Sequence, residues 1–334
     1  MIINLSFFCA MMLALIGSGA TYQHISTKFD EQKYLPIGKM IDIGGYKLHL
    51  VDQGVGGPTV IIDSGVRCNC LDWSLVQPEI AKFTRVVTYD RAGYAWSDES
   101  PLDRTSANIV KELRSMLKNA GIPGPYILVG HSFGGNNMQL FAMTYPHEVV
   151  GLILIDAVHQ DLLKFVPLPS IEYFQLMLCG FYLGAFRFLT HVPAVQKIIV
   201  EQIKKYPVEI QDMYYSQNVK TKFIHAVHAE AIFAEESCEQ LRKCGNLLGD
   251  IPLTVISAGN PLMVYEDVKG VYSCKEVDAM NQGWFDLQRD LVKKSYQAKH
   301  IIAENSGHMI PVDRPDVIIQ AVHDMVDALY VMQS

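Results

Sequence analysis

Short apolar runs alternate with amphipathic stretches along most of the chain. Runs rich in β-branched residues occupy residues 59–63, 84–89, 126–130, 151–156, 253–258 and 300–303. Helical patterns occupy residues 75–82, 106–119, 133–145, 283–295 and 315–331. Buried strands that alternate with helices indicate a mostly parallel sheet covered on both faces. Two short strands at 39–43 and 46–53, around a Gly-Gly turn, predict an antiparallel start to this sheet.

The alternation stops after residue 156 and resumes at residue 253. The intervening segment has helical patterns and is rich in aromatic residues at 174–183. An insertion at the C-terminal edge of a parallel sheet lies where ligands bind. We therefore predict a core of residues 38–156 and 251–334 and a helical cap or lid of residues 157–250. The alternative is a helical subdomain without a role in specificity.

The N-terminal segment has a different pattern. Residues 7–16 are almost all apolar, and the first charged side chain is Lys28. An uncharged stretch of about 20 residues has roughly the length of a membrane span, so we favour a membrane anchor over residues 1–24. A secretory signal cleaved near the small residues 17–20, giving a secreted or periplasmic protein, and a buried helix are the alternatives. Residues 25–37 then form a polar linker.

Composition narrows the functional classes. The 334 residues include 49% hydrophobic and 19% charged residues, which is sufficient for a large core. The net charge is −7 and no dense Lys/Arg tract occurs, which argues against nucleic-acid binding. The seven cysteines form no Cys-x-x-Cys pair, which argues against structural zinc. Nothing in the sequence requires a cofactor, a metal or an obligate protein partner.

The candidate nucleophile is Ser132. It lies in the sequence Gly130-His131-Ser132-Phe133-Gly134, between a predicted strand and a predicted helix. A Gly-x-Ser-x-Gly turn in this position forces the serine into a strained conformation and needs small flanking residues. The hydroxyl then stands above the sheet at the N-terminus of the following helix. The backbone N–H of Phe133 is expected to face a developing oxyanion.

A second oxyanion donor is expected in the loop after the third strand. That loop contains Ser64-Gly65-Val66, and the glycine permits close approach of the backbone. We predict that the backbone N–H of Val66 is this donor.

The candidate general base is His308. The sequence Ser306-Gly307-His308 follows the last predicted strand and precedes the last predicted helix, and the order serine before histidine suits this architecture. His131 is expected to support the turn that carries the serine. His225 and His228 lie one helical turn apart and permit a metal pair, although we favour a polar face of the cap.

The acid of the triad has two candidate positions. The loop after strand 253–258 is the usual one, but it has a leucine at position 262 where the acid is expected, and Glu266 and Asp267 come late. Asp156 ends the strand adjacent to the one that leads to Ser132. We favour Asp156, because triad members are recognised by geometry rather than by position in the sequence.

With these residues in place, the chain resembles the α/β-hydrolase superfamily from about residue 38 to residue 329. The segments that carry the resemblance are 88–98 with its Asp-Arg-x-Gly sequence, 130–135, and 306–308 followed by 313–315. The resemblance implies an eight-stranded, mostly parallel sheet with a helical cap after the sixth strand. The N-terminal apolar segment followed by Ala-Thr-Tyr-Gln resembles membrane-anchored bacterial hydrolases.

The resemblance also bears on chemistry. The haloalkane-dehalogenase branch sometimes places its acid after the sixth strand, which supports Asp156. That branch and the epoxide hydrolases use an aspartate nucleophile where this chain has Ser132, which disfavours their reactions. We therefore expect hydrolysis of an ester of a small, apolar molecule through an acyl-enzyme intermediate. Amidase, peptidase, thioesterase and carbon–carbon hydrolase activities use the same triad, and a ligand-binding receptor on this scaffold is an alternative of another class.

Overall fold

The computed structural model describes residues 2–245 and 247–333, and these form the α/β-hydrolase fold that the sequence predicts. The strands are β1 Lys39–Asp42, β2 Lys47–Gln53, β3 Thr59–Asp63, β4 Val86–Tyr89, β5 Tyr126–His131, β6 Val149–Ile155, β7 Leu253–Ala258 and β8 Ala298–Ala303. They pair in the order β1-β2-β4-β3-β5-β6-β7-β8. The first two pairings are antiparallel and the others are parallel. The C-terminal ends of β3, β5, β6, β7 and β8 therefore meet at one edge of the sheet.

Helices cover both faces of this sheet. The α-helices of the core are α2 Gln77–Ile80, α3 Ser106–Asn119, α4 Phe133–Thr144, α11 Tyr265–Val268, α12 Cys274–Val292, α13 Ile310–Asp313 and α14 Pro315–Gln333. Alternate side chains of a strand point to opposite faces. In β5, Ile127 packs in the same cluster as Ile318 and Val322 of α14, and Leu128 packs in the same cluster as Leu113 of α3. The strand is fully buried, as its unbroken apolar pattern predicts.

The helical insertion lies between β6 and β7. Its α-helices are α5 Ile171–Tyr182, α6 Ala185–Leu189, α7 Pro193–Ile203, α8 Val208–Asn218, α9 Thr221–Ile232 and α10 Ala234–Lys243. We call these helices the cap. Phe174, Phe181 and Phe223 of the cap form an apolar cluster with Tyr94 of the core. The cap is thus fixed over the edge where the parallel strands end.

The N-terminal segment forms one long helix, α1 (Ile2–Lys33), which corrects the predicted linker. The helix continues through most of residues 25–37 because its polar side chains bind the cap. Arg187 donates to Asp30 at 2.6 Å, and Gln23 donates to the carbonyl of Val219 at 2.8 Å. No helix in the described part of the chain is long and apolar enough to cross a membrane. The predicted anchor is therefore unsupported, and its first six side chains lie outside the described residues.

Candidate active site

Ser132 stands at the turn between β5 and α4 with φ 54° and ψ −122°. This is a left-handed conformation that non-glycine residues rarely adopt, and such strain concentrates at functional sites. Backbone hydrogen bonds hold it: the N–H of Ser132 donates to Ile155 at 3.0 Å, and its carbonyl accepts from Val158 at 2.9 Å. A Cβ on Gly130 would lie 2.6 Å from the carbonyl oxygen of Gly134. The glycines on either side of the serine therefore meet a steric requirement of the turn.

The imidazole of His308 lies in the loop between β8 and α13, beside this serine. Its Nε2 is 3.0 Å from Oγ of Ser132, and its Nδ1 is 2.6 Å from Oδ2 of Asp156. The His308 side chain is 29% exposed, whereas Asp156 is 1% exposed. The structure thus brings together the three residues that the sequence analysis selects, in a continuous chain from a buried carboxylate to an accessible hydroxyl.

Asp156 directly follows β6 and has φ 40°. Its Oδ1 accepts hydrogen bonds from Nε1 of Trp284 at 3.0 Å and from the N–H of Ala258 at 3.3 Å. These bonds leave Oδ2 for His308 and hold the carboxylate in one orientation. The alternative acids lie elsewhere, because both are exposed on α11 and Glu266 pairs with Lys269 at 2.7 Å.

His131 hydrogen-bonds the loop that carries His308. Its Nε2 donates to the carbonyl oxygen of His308 at 2.8 Å, and the two rings lie 4.8 Å apart. Burial, together with the neighbouring His308, lowers the pKa of His131 to about 3. His131 is therefore neutral across the physiological range and serves as a hydrogen-bond donor to the loop.

The loop after β3 approaches the serine closely. A Cβ on Gly65 would lie 2.9 Å from Cβ of Ser132 and 3.1 Å from Nδ1 of His131. A glycine is thus required at this position. The next residue, Val66, lines the same cavity as Ser132 and Phe133. The two residues predicted to supply the donors of an oxyanion hole therefore line the cavity that Ser132 lines.

A cavity of about 340 Å³ separates these residues from the cap. Its walls are mostly apolar and come from the core and from cap residues that include Phe174, Met177 and Phe223. Two charged side chains line it in the described part of the chain, Arg67 and Glu230. Arg67 is exposed, whereas Glu230 is buried and bonded to Arg91 and Tyr94. The space next to Ser132 is therefore mostly apolar, and Arg67 supplies a positive charge at its wall.

Possible metal ligands lie outside this cavity. His225 hydrogen-bonds the hydroxyl of Tyr182 at 2.8 Å, and the ring of His228 packs against Phe174. In residues 2–245 and 247–333, the one group with ligand spacing is His49, Cys70 and Asp90.

This buried group forms a hydrogen-bond network. His49 donates from Nδ1 to Asp90 at 2.8 Å and accepts at Nε2 from the N–H of Gly38 at 3.0 Å. Burial and the nearby Asp90 raise the pKa of the Cys70 thiol well above its usual value, so the thiolate that metals prefer is disfavoured. The contacts of the three side chains are those of a structural network.

Comparison with known proteins agrees with the fold. A family profile described as alpha/beta hydrolase fold matches residues 58–193, from the end of the loop before β3 through the serine turn and into the cap. The chain has the α/β-hydrolase fold, and its residues 58–193 match the model of that family.

The chain is similar to several known proteins, including the following three. The uncharacterized protein YqjL of Bacillus subtilis is 26% identical over 86% of this chain and 91% of its own length. The 2-hydroxy-6-oxo-2,4-heptadienoate hydrolase of Pseudomonas putida is 32% identical over 36% of this chain and 45% of its own. The solved structure of the epoxide hydrolase CorEH has a TM-score of 0.61 at 16% identity and covers 87% of this chain and 98% of its own. The last similarity shows the fold.

Sequence reasoning missed three residues of this candidate site. Trp284 of α12 orients Asp156, and Arg91 and Glu230 form a buried ion pair beside the loop after β3. The Asp-Arg-x-Gly segment was a signal for Arg91, but its partners are distant in the chain. Glu230 is 139 positions from Arg91, so no local pattern connects them.

Proposed function

We propose that this α/β hydrolase is a serine hydrolase that cleaves an ester or related acyl bond of a small, apolar substrate. The supporting observation is the chain of short hydrogen bonds from Asp156 through His308 to Ser132 at the floor of an apolar cavity. A serine hydroxyl becomes a nucleophile when a neighbouring base accepts its proton and a third group orients that base.

The reaction has two acyl-transfer steps. Ser132 attacks the carbonyl carbon while Nε2 of His308 accepts the hydroxyl proton. The negative charge moves to the carbonyl oxygen, which the backbone N–H groups of Val66 and Phe133 stabilise. His308 then donates the proton to the leaving alcohol, and the acyl group remains on Ser132. In the second step His308 activates water, and hydrolysis of the acyl-enzyme restores the serine. Asp156 holds the imidazole in the required tautomer and stabilises its positive charge.

The cavity supports the choice of substrate. Its carboxylate, Glu230, is engaged by Arg91 and Tyr94, so it is a poor partner for a positively charged substrate. The aromatic and aliphatic walls favour an acyl group of medium length, because burial of apolar surface drives binding. A panel of p-nitrophenyl esters of graded chain length tests this proposal. We expect turnover that depends on the length of the acyl chain; absence of turnover across the panel would contradict the proposal.

Carbon–carbon bond hydrolysis is a second candidate. The similarity to 2-hydroxy-6-oxo-2,4-heptadienoate hydrolase supports it, since that enzyme is named for a carboxylate substrate. Arg67 supplies a guanidinium at the cavity that could pair with such a carboxylate. The two candidates differ in the Arg67→Gln variant. Turnover of neutral esters should stay within about twofold if Arg67 is a surface charge, whereas a dienoate substrate should lose about tenfold or more in kcat/KM.

A further inference from the structure

A buried ion pair connects the cap to the core next to the active site. Glu230 of α9 accepts hydrogen bonds from Nε of Arg91 at 2.7 Å and from its Nη2 at 3.0 Å. Both side chains are at most 1% exposed. The hydroxyl of Tyr94 donates to the same carboxylate at 2.7 Å. This bidentate arrangement fixes the plane of the guanidinium.

The other side of the Arg91 guanidinium binds the loop after β3. Nη1 donates to Asp63 at 2.8 Å and to the carbonyl of Ser64, and Nη2 donates to the carbonyl of Gly65 at 2.9 Å. Asp63 is itself held by Asn137 of α4 at 2.8 Å. Arg91 therefore holds two successive carbonyl groups of the loop that carries Val66.

The carbonyl of Gly65 and the N–H of Val66 belong to one peptide unit. Because a trans peptide is planar, its N–H points away from its carbonyl. Holding the Gly65 carbonyl towards Arg91 thus fixes the direction of the Val66 N–H. We propose that Glu230 is a positioning residue. It connects the cap to Arg91, and Arg91 in turn orients the Val66 N–H towards the oxyanion. This inference rests on the proposed function of Ser132.

The charges around Arg91 support a role beyond packing. The guanidinium has two carboxylates within ion-pair distance in the described chain, Asp63 and Glu230. Burial opposes its charge, but these carboxylates, with Glu230 the stronger, raise the pKa of Arg91 well above its usual value. Asp63 comes from the core rather than from the cap, so Arg91 keeps a counter-charge without Glu230. The carboxylate of Glu230 therefore adds orientation to a guanidinium that Asp63 already neutralises.

The variant Glu230→Gln tests this inference. The amide is nearly the same size as the carboxylate, but its NH₂ group cannot accept a hydrogen bond from Arg91. Glu112→Gln is the matched control, because Glu112 of α3 also accepts from a buried arginine, Arg104, at 2.8 Å and from a tyrosine, Tyr46, at 2.7 Å. Glu112 does not line the cavity of Ser132.

The readouts are the kcat and KM of p-nitrophenyl butyrate hydrolysis, their pH profile and thermal unfolding. We expect Glu230→Gln to lower kcat about 10- to 100-fold, less than the loss of a whole oxyanion donor, with KM within about threefold. The pH profile should keep its shape because His308 is untouched. Glu112→Gln should unfold at a similarly reduced temperature yet keep kcat within about twofold. Equal kcat losses in both variants, or an unchanged kcat in Glu230→Gln, would overturn the inference.

A second variant keeps the test decisive if Glu230→Gln is poorly folded. Tyr94→Phe removes one donor to Glu230 and the acceptor of the Arg67 N–H at 3.4 Å, and it leaves the ion pair, so we expect a smaller loss of kcat, about two- to fivefold. An unchanged kcat in Tyr94→Phe together with an unfolded Glu230→Gln would overturn the inference, because Glu230 would then be structural only. Absence of turnover in the wild-type protein would instead overturn the proposed function on which the inference rests.

Discussion

The loops at the edge of the sheet and the cap contribute different interactions to the same cavity. The loops contribute polar groups at fixed distances, such as the 2.6 Å and 3.0 Å contacts of His308. The cap contributes mostly apolar side chains to the cavity, and some of its large apolar residues face outward, such as Leu176 and Phe188, which are 72% and 63% exposed. Hydrogen bonds are directional, whereas apolar contacts tolerate changes of shape. Changes in the polar groups, including Glu230 of the cap, should therefore lower kcat, and changes in the apolar side chains of the cap should alter substrate choice.

Among the variants that keep the nucleophile, the largest effect is expected from Asp156→Asn. The amide has the shape of the carboxylate, but it can neither hold the His308 tautomer nor stabilise the imidazolium. We expect kcat to fall about 10³- to 10⁴-fold with little change in KM. The measurement is steady-state hydrolysis of p-nitrophenyl butyrate by the folded variant.

Glu266→Gln and Asp267→Asn are the controls for Asp156. Both residues are exposed on α11, so each variant should keep its activity within about twofold. Retention of most activity in Asp156→Asn together with its loss in either control would place the acid after β7 and contradict the assignment.

Gly65→Ala tests whether the loop after β3 must approach the serine closely. The added Cβ would lie 2.9 Å from Cβ of Ser132, which the strained turn holds in place, so the loop must shift. Because the Val66 N–H moves with it, we expect kcat to fall about 10²-fold, comparable to losing one oxyanion donor. The control is Gly270→Ala, where an added Cβ meets no atom within 4 Å. Equal activity of the two variants would show that this approach is unimportant.

Phe174→Ala tests the cap side of the comparison. Phe174 is buried in α5 and lines the cavity, so its truncation enlarges the space next to Ser132. We expect the preference between long and short acyl esters, measured as a ratio of kcat/KM, to shift about tenfold towards longer chains. Phe188→Ala is the control, since Phe188 lies on α6, is 63% exposed and does not line the cavity. A uniform loss of kcat for all esters would place Phe174 in the catalytic machinery instead.

The smallest effect concerns stability rather than turnover. The pKa of His131 is about 3 in the folded protein, below the ordinary histidine value of 6.5, so the unfolded chain binds an extra proton between these pH values. The contribution of neutral His131 to the free energy of unfolding is therefore complete above pH 6.5. It is lost as the pH falls towards 3. At pH 5 we expect a loss of about 2 kcal/mol in the free energy of unfolding.

Urea unfolding at pH 7 and pH 5 measures this loss. His131→Gln should reduce the difference in the free energy of unfolding between pH 7 and pH 5, although the variant is less stable at both. His147→Gln, which changes an exposed histidine, should leave the difference as it is in the wild-type protein. An undiminished difference in His131→Gln would assign the acid sensitivity to other groups.

Local sequence signals predicted the part of the site that local structure builds. The Gly-x-Ser-x-Gly turn needs its glycines for steric reasons, and β5 and α4 flank it as the apolar pattern indicates. The choice between Asp156 and Glu266 depended on which strand end lies beside His308. That depends on the register of β6 and β7, which pairs Ile155 with Ile256 and which no pattern within either strand specifies.

The wrong prediction of a linker and the failure to identify Glu230 have the same physical origin, because both depend on tertiary contacts. The polar side chains of residues 25–37 suggested a linker, yet Asp30 faces Arg187 of the cap, and such buried ion pairs support a continuous helix. Glu230 was likewise one charged residue among many in the insertion. Its role depends on Arg91, and that pairing arises only when the cap folds onto the core.

The most direct test of the account is the site of covalent labelling by a fluorophosphonate. The wild-type protein and Ser132→Ala are incubated with the probe, and the modified peptide is identified by mass spectrometry. We predict one phosphonyl adduct, on the peptide that contains Ser132, and none in Ser132→Ala, whose ester turnover should fall by about 10⁴-fold or more. An adduct on another serine, or undiminished turnover by Ser132→Ala, would contradict the assignment of Ser132 as the nucleophile.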